Sequence, residues 1–106
     1  MTITKQHARD ILQHAELLYS AEQVQAALQG VAQKINAALA DTHPLVLSVM
    51  GGAVVFSGQL LPMLDFPLDF DYLHVSRYGN DRKGGARHWK VEPRENVRGR
   101  VVLLLD

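Results

Sequence analysis

Leu45-Val46-Leu47-Ser48-Val49-Met50-Gly51-Gly52-Ala53, running on through Val54-Val55-Phe56-Ser57-Gly58-Gln59-Leu60-Leu61-Pro62-Met63-Leu64, decides how this chain is read. Leu45 to Met50 is a short apolar run after the loop Asp41-Thr42-His43-Pro44, the pattern of a buried strand, and Gly51-Gly52 ends it. From Ala53 to Leu64 the apolar residues Val54, Val55, Leu60, Leu61 and Leu64 return at helical spacing. Pro62 is expected to kink that helix or trim its end. A strand, a glycine turn and a helix, in that order, open an α/β unit.

The flanks extend the pattern. Upstream, Ala8, Ile11, Leu12, Ala15 and Leu18 recur every three or four residues and predict an amphipathic helix from about Lys5 to Leu18. Ser20 followed by Gln23 fits a capping box, and Val24, Leu28, Val31, Ile35 and Leu39 then mark a second helix over Ala21 to Ala40. At 1.5 Å per residue it would be about 30 Å long, enough to lie across a sheet. Downstream, Asp65-Phe66-Pro67 is a turn and Leu68 to Val75 a second strand, rich in aromatic and branched residues. Arg77 to Arg87, with Gly79, Gly84 and Gly85, reads as a long mobile loop before a short strand at His88 to Val91. After the turn Arg98-Gly99-Arg100, Val101 to Leu105 reads as a parallel strand covered on both faces, ending at Asp106. The fold class expected is α/β: two amino-terminal helices, then a parallel sheet flanked by helices.

Composition fits one soluble globular domain. Hydrophobic residues make up 47% and charged residues 21% of 106 residues, far from a disordered chain. The longest apolar runs are much shorter than the roughly 20 residues of a membrane span, and the polar start lacks a signal-peptide core, so a cytoplasmic location and no membrane partner are expected. The absence of cysteine excludes disulfides, thiolate metal sites and cysteine nucleophiles. The five histidines show no ligand spacing. Net charge is zero, yet eight of the eleven basic residues lie between Arg77 and Arg100, beside only Asp81, Glu92 and Glu95. That segment suits an anionic partner, a phosphate or a nucleic acid; a solvated hairpin explains it equally well.

Three constellations carry chemistry. The Met50-Gly51-Gly52-Ala53 turn between strand and helix can hold a phosphate or pyrophosphate oxygen on backbone N–H groups; a plain tight turn is the simpler alternative. Neither a dinucleotide-binding glycine pattern nor a Walker A loop is present. Asp106, after an apolar strand, could place a carboxylate against a metal-bound phosphate or sugar hydroxyls. Ser76-Arg77-Tyr78 leads from a strand into the basic segment, and a loop of that kind could close over a polyanion and exclude water. An exposed hairpin without function remains open there.

Taken together, these residues resemble the hypoxanthine-guanine phosphoribosyltransferase family, bacterial members in particular. Val49-Met50-Gly51-Gly52 looks like its first loop. Tyr72-Leu73-His74-Val75-Ser76-Arg77-Tyr78 looks like the strand entering its mobile loop, and Gly99 to Asp106 like the start of its phosphoribosyl-pyrophosphate motif. The resemblance implies purine salvage: transfer of ribose 5-phosphate from phosphoribosyl pyrophosphate to hypoxanthine or guanine, with Mg2+ and release of pyrophosphate. It also implies that Met50, Gly51, Gly52 and Ala53 bind pyrophosphate, with a cis peptide expected at Met50-Gly51. Ser76, Arg77 and Tyr78 would belong to the closing loop, and Asp106 would meet ribose hydroxyls and metal. Many relatives have a larger residue before the glycine pair, and the family's remaining motifs lie beyond Asp106. The chain therefore reads as a single truncated domain over residues 1–106, inactive alone, without a catalytic residue of its own, in a homodimer or homotetramer. The alternative is a non-catalytic regulator of the same fold that binds nucleotide and RNA, although nucleic acid is not the expected partner.

Overall fold

A computed structural model describes residues 2–77 and 87–106. The expected mobile loop, with its candidate Tyr78, lies outside the described residues except at its ends. The elements are α1 (Lys5–His14), α2 (Ala21–Leu39), β1 (Leu45–Val49), α3 (Val54–Leu60) continued by a 3-10 turn (Leu61–Met63), β2 (Asp69–Arg77), β3 (Arg87–Val91) and β4 (Val102–Leu105).

The strands form one sheet in the order β3-β2-β1-β4. β1 runs parallel to β2, Val49 opposite Leu73, and parallel to β4, Ser48 opposite Leu105. The α/β class holds, and the sheet is mixed, because β3 returns antiparallel to β2 with Arg77 opposite Arg87. That pairing carries β2 two residues past the predicted Val75, since a neighbouring strand supplies hydrogen-bond partners for Ser76 and Arg77.

Val46 of β1 and Leu105 of β4 meet Leu28 and Ala32 of α2, Ala53, and Leu60 of α3 in one buried cluster. α2 begins as its sequence predicts. Ser20 Oγ accepts from Gln23 N at 3.1 Å, and Gln23 Oε1 accepts from Ser20 N at 2.7 Å, two orphan amides satisfied reciprocally. Its buried stripe is rotated from the predicted one: Leu28 and Ala32 are buried while Val24 and Val31 stay exposed. Pro62 does end the regular helix, sitting in the 3-10 turn after α3.

Two expectations need correction. α1 stops at His14 rather than Leu18, because Ala15 turns extended. No residue of α1 is buried, so no packing holds the periodic pattern helical beyond its own hydrogen bonds. β4 is covered on one face only: Leu105 is buried, but Val102 and Leu104 are exposed. α2 and α3 lie over one side of the sheet, and among the described residues β4 is an edge strand.

Candidate functional site

Since β1, β2 and β4 are parallel, their carboxyl ends reach the same edge of the sheet. Val49 and Leu105 end adjacent strands one register step apart, so Met50 and Asp106 leave the sheet from strands about 4.8 Å apart. In open α/β sheets this carboxyl edge is where ligands collect. Met50 is half-buried, while Gly51, Gly52 and Asp106 are exposed.

The turn at this edge is held by its neighbours and leaves two amides spare. Met50 N donates to Leu73 O at 2.8 Å, Ala53 N to Val49 O at 3.0 Å, and Val54 N to Gly51 O at 3.2 Å. Among the described residues, no acceptor is recorded for the amides of Gly51 or Gly52. The peptide Met50-Gly51 is cis, as the resemblance implies. A Cβ built on either glycine meets nothing within 4 Å, so the space over the turn is open. The fourth turn residue, Ala53, is 1% exposed and packs into the core; its amide is already used, which separates it from the glycines.

Ser76 and Arg77 are the last two residues of β2, opposite His88 and Arg87. They stand further along the same direction than Met50, on a strand that outruns β1.

Two supporting groups were not legible as site elements. Ser48 and Ser57 are both buried, and their hydroxyls lie 2.6 Å apart, tying β1 to α3 on either side of the glycine turn. A serine inside the apolar run Leu45 to Val49 was the available signal, because a buried hydroxyl needs a partner. Asp71, 8% exposed, accepts from Tyr72 N at 2.8 Å, Arg94 N at 2.5 Å and Glu95 N at 2.9 Å. The Glu95 amide, ahead of those of Tyr72 and Arg94, holds its carboxyl below the usual carboxylate range, against the opposing effect of burial. Asp71 thereby fixes the segment that leads from β3 towards β4.

At the opposite, amino-terminal edge, Arg100 binds Asp69 Oδ2 through Nη1 at 2.9 Å and His43 O through Nη2 at 2.9 Å. The Arg100 guanidinium is the main cause of the lowered Asp69 pKa. This network pins the start of β4 to β1 and β2, away from the glycine turn. An open groove of about 460 Å³ lies on the sheet face turned from the helices, lined by Leu47, Leu73, Trp89, Pro93 and Val97 among others. Leu73, which also accepts the Met50 amide, brings its lining up to the carboxyl ends of the strands.

A mixed sheet whose three parallel strands end at one edge, with helices over one face, places the chain among the α/β proteins. The chain belongs to the phosphoribosyl transferase domain family, whose model matches residues 14–106. It is 30% identical over 90 residues to a hypoxanthine-guanine-xanthine phosphoribosyltransferase of Tritrichomonas foetus, covering 85% of this chain and 49% of that protein. It is 27% identical over 92 residues to the hypoxanthine-guanine phosphoribosyltransferase of Bacillus subtilis, covering 86% and 51%. Among solved structures, a hypoxanthine-guanine-xanthine phosphoribosyltransferase superposes with a TM-score of 0.73 at 28% identity, over 84% of this chain and 49% of that one. A hypoxanthine-guanine phosphoribosyltransferase of Bacillus anthracis shares the fold at a TM-score of 0.79 and 24% identity, over 85% and 54%. The chain spans about half the length of the curated relatives it matches.

Proposed function

We propose that this chain forms the pyrophosphate- and ribose-binding edge of a purine phosphoribosyltransferase that transfers ribose 5-phosphate from phosphoribosyl pyrophosphate to hypoxanthine or guanine. The observation that carries the reading is the convergence of the Gly51-Gly52 turn and Asp106 at the carboxyl ends of adjacent parallel strands. In the reaction a purine nitrogen attacks the anomeric carbon, the bond from that carbon to the pyrophosphate oxygen breaks, and pyrophosphate leaves with the electron pair.

The residues of this chain would bind and orient. Gly51 and Gly52 offer N–H donors that no described residue uses, at an exposed turn where negative charge would grow on the leaving group. Asp106 offers exposed carboxylate oxygens to the ribose hydroxyls. The donor chemistry suits Mg2+, which commonly takes one or two carboxylates and completes its shell with substrate phosphates and water. Among the described residues no three His, Asp or Glu side chains gather into a cage, and Asp106 is the residue that would hold the ion. When bound, magnesium would neutralise phosphate charge and so ease departure of pyrophosphate. Ser76, Arg77 and Tyr78 would close over the substrate and limit water entry. The domain, the cytoplasmic setting and association of two or four copies belong to the same proposal.

Calorimetric titration of the chain with pyrophosphate in the presence of Mg2+ tests it. Saturable binding is expected, weakened about tenfold or more by Asp106→Asn, in line with the loss of one charge-assisted contact. Absent pyrophosphate binding, together with RNA affinity that falls steeply with salt, would replace this reading with that of a non-catalytic RNA-binding regulator.

A further inference from the structure

We infer that Arg100 is a positioning residue: its guanidinium fixes the register of β4 against β1 and thereby sets where Asp106 stands beside the Gly51-Gly52 turn. The inference rests on the proposed role of Asp106 and adds to it what places that carboxylate.

β4 is the strand whose own sequence specifies its register least. Val101-Val102-Leu103-Leu104-Leu105 is apolar throughout, whereas register is set mainly by the alternation of apolar and polar residues. Leu105 is buried in the core and Leu103 packs against it, while Val102 and Leu104 are exposed. An outward slip of one residue would bury Leu104 and Val102 in their place, and a slip of two would bury Leu103 and Val101. Neither puts a polar group in the core. Among the described residues β4 is also an edge strand, paired with β1 alone. Yet each step of slip carries Asp106 about 3.3 Å along the strand, enough to take its carboxylate out of hydrogen-bond reach of a ligand held on the glycine amides.

The register is set from outside the apolar run, at its amino-terminal end. Arg100 spreads its fork across two elements: Nη1 meets Asp69 Oδ2 of β2 at 2.9 Å, and Nη2 donates to His43 O, in the loop before β1, at 2.9 Å. Asp69 N donates to Pro44 O at 3.0 Å, so both partners of the fork belong to one corner. His43 Nε2 lies 3.4 Å from the same Asp69 oxygen. His43 itself holds φ 45°, an uncommon region for a residue with a side chain, which persists where neighbours hold it. The backbone follows the fork: Arg100 N donates to Val97 O at 3.2 Å and Leu45 N to Val101 O at 2.9 Å. Stability is not what the ion pair supplies. With the Asp69 side chain 47% exposed, such a pair contributes little; a rigid planar fork on two fixed acceptors defines a position instead. A shift of β4 by one residue would carry Arg100 away from both acceptors.

Pyrophosphate titration with Mg2+ and nuclear magnetic resonance of the isotopically labelled chain test this together. Arg100→Gln should weaken pyrophosphate binding about tenfold, as expected for Asp106→Asn, because both withdraw one charge-assisted contact. The double variant Arg100→Gln/Asp106→Asn should then bind no more weakly than Asp106→Asn alone, the non-additivity of residues that act through one another. A general structural effect would add to the loss. In the spectrum, the parent contact between Leu47 and Leu104, which stand opposite across β1 and β4, should give way to contacts of Leu47 with Leu103 or Val102. Asp69→Asn keeps an acceptor but removes its charge; it should move both readouts in the same direction, and it carries the test if Arg100→Gln does not fold. A parent chain without pyrophosphate affinity would overturn the proposed function and this inference together. In a parent that binds, variants with undiminished affinity, with the Leu47–Leu104 contact intact, or with additive losses would overturn the inference alone.

Discussion

Gly52 and Gly99 are both turn glycines, but they are needed for different reasons. Gly99 has φ 73°, a region where a Cβ costs about 1–2 kcal/mol, so Gly99→Ala should lower the unfolding free energy by about that amount in urea titrations. Gly52 has no such constraint and no atom within 4 Å of an added Cβ. Gly52→Ala should leave stability within about 0.5 kcal/mol of the parent, while weakening pyrophosphate binding about tenfold through steric loss at the amide. Unchanged binding would remove the glycine amides from the site. Asp71 makes a prediction in pH. Its carboxyl titrates lower in the folded chain than in the unfolded one, so its contribution is present above the ordinary aspartate pKa near 4 and is lost as pH falls through the lower folded value. Asp71→Asn should cost about 2 kcal/mol near neutrality and flatten the acid limb of a stability-versus-pH curve. At this scale the turn at Gly51-Gly52 and the end of β4 before Asp106 were legible, because turn glycines and an apolar run closed by an acid mark the limits of an element. The sequence did not show Asp71, whose partners Arg94 and Glu95 lie more than twenty positions away.

Elements were legible where local chemistry sets their limits. The Ser20/Gln23 box announced the start of α2, and Gly51-Gly52 the end of β1. They were misread where tertiary contact decides: Ala15 and Leu18 keep the α1 period without a surface to pack on, and the apolar β4 has a cover on only one side. The Ser48–Ser57 bond is the link between β1 and α3 that the pattern alone could not supply. Ser48→Ala should cost about 1–3 kcal/mol by stranding the buried Ser57 hydroxyl. The double variant Ser48→Ala/Ser57→Ala should cost clearly less than the two single changes together, a coupling that a thermal or denaturant double-mutant cycle reads. Strict additivity would mean that the hydroxyl pair contributes no coupling between strand and helix.

Across the whole molecule, the alternation of helices and strands implied a sheet with parallel pairs, and β1, β2 and β4 are indeed parallel. The antiparallel return of β3 and the strand order β3-β2-β1-β4 depend on long-range pairing that no local spacing encodes. That order is what brings Met50 and Asp106 side by side, and the proposed function rests on it. The most direct test is an amide-resolved nuclear magnetic resonance titration of the isotopically labelled chain with pyrophosphate and Mg2+. The largest shifts should fall on Gly51, Gly52 and Asp106 at one edge of the sheet. Shifts centred on the Asp69–Arg100 edge or on the groove beside Trp89, with the glycine turn silent, would contradict it.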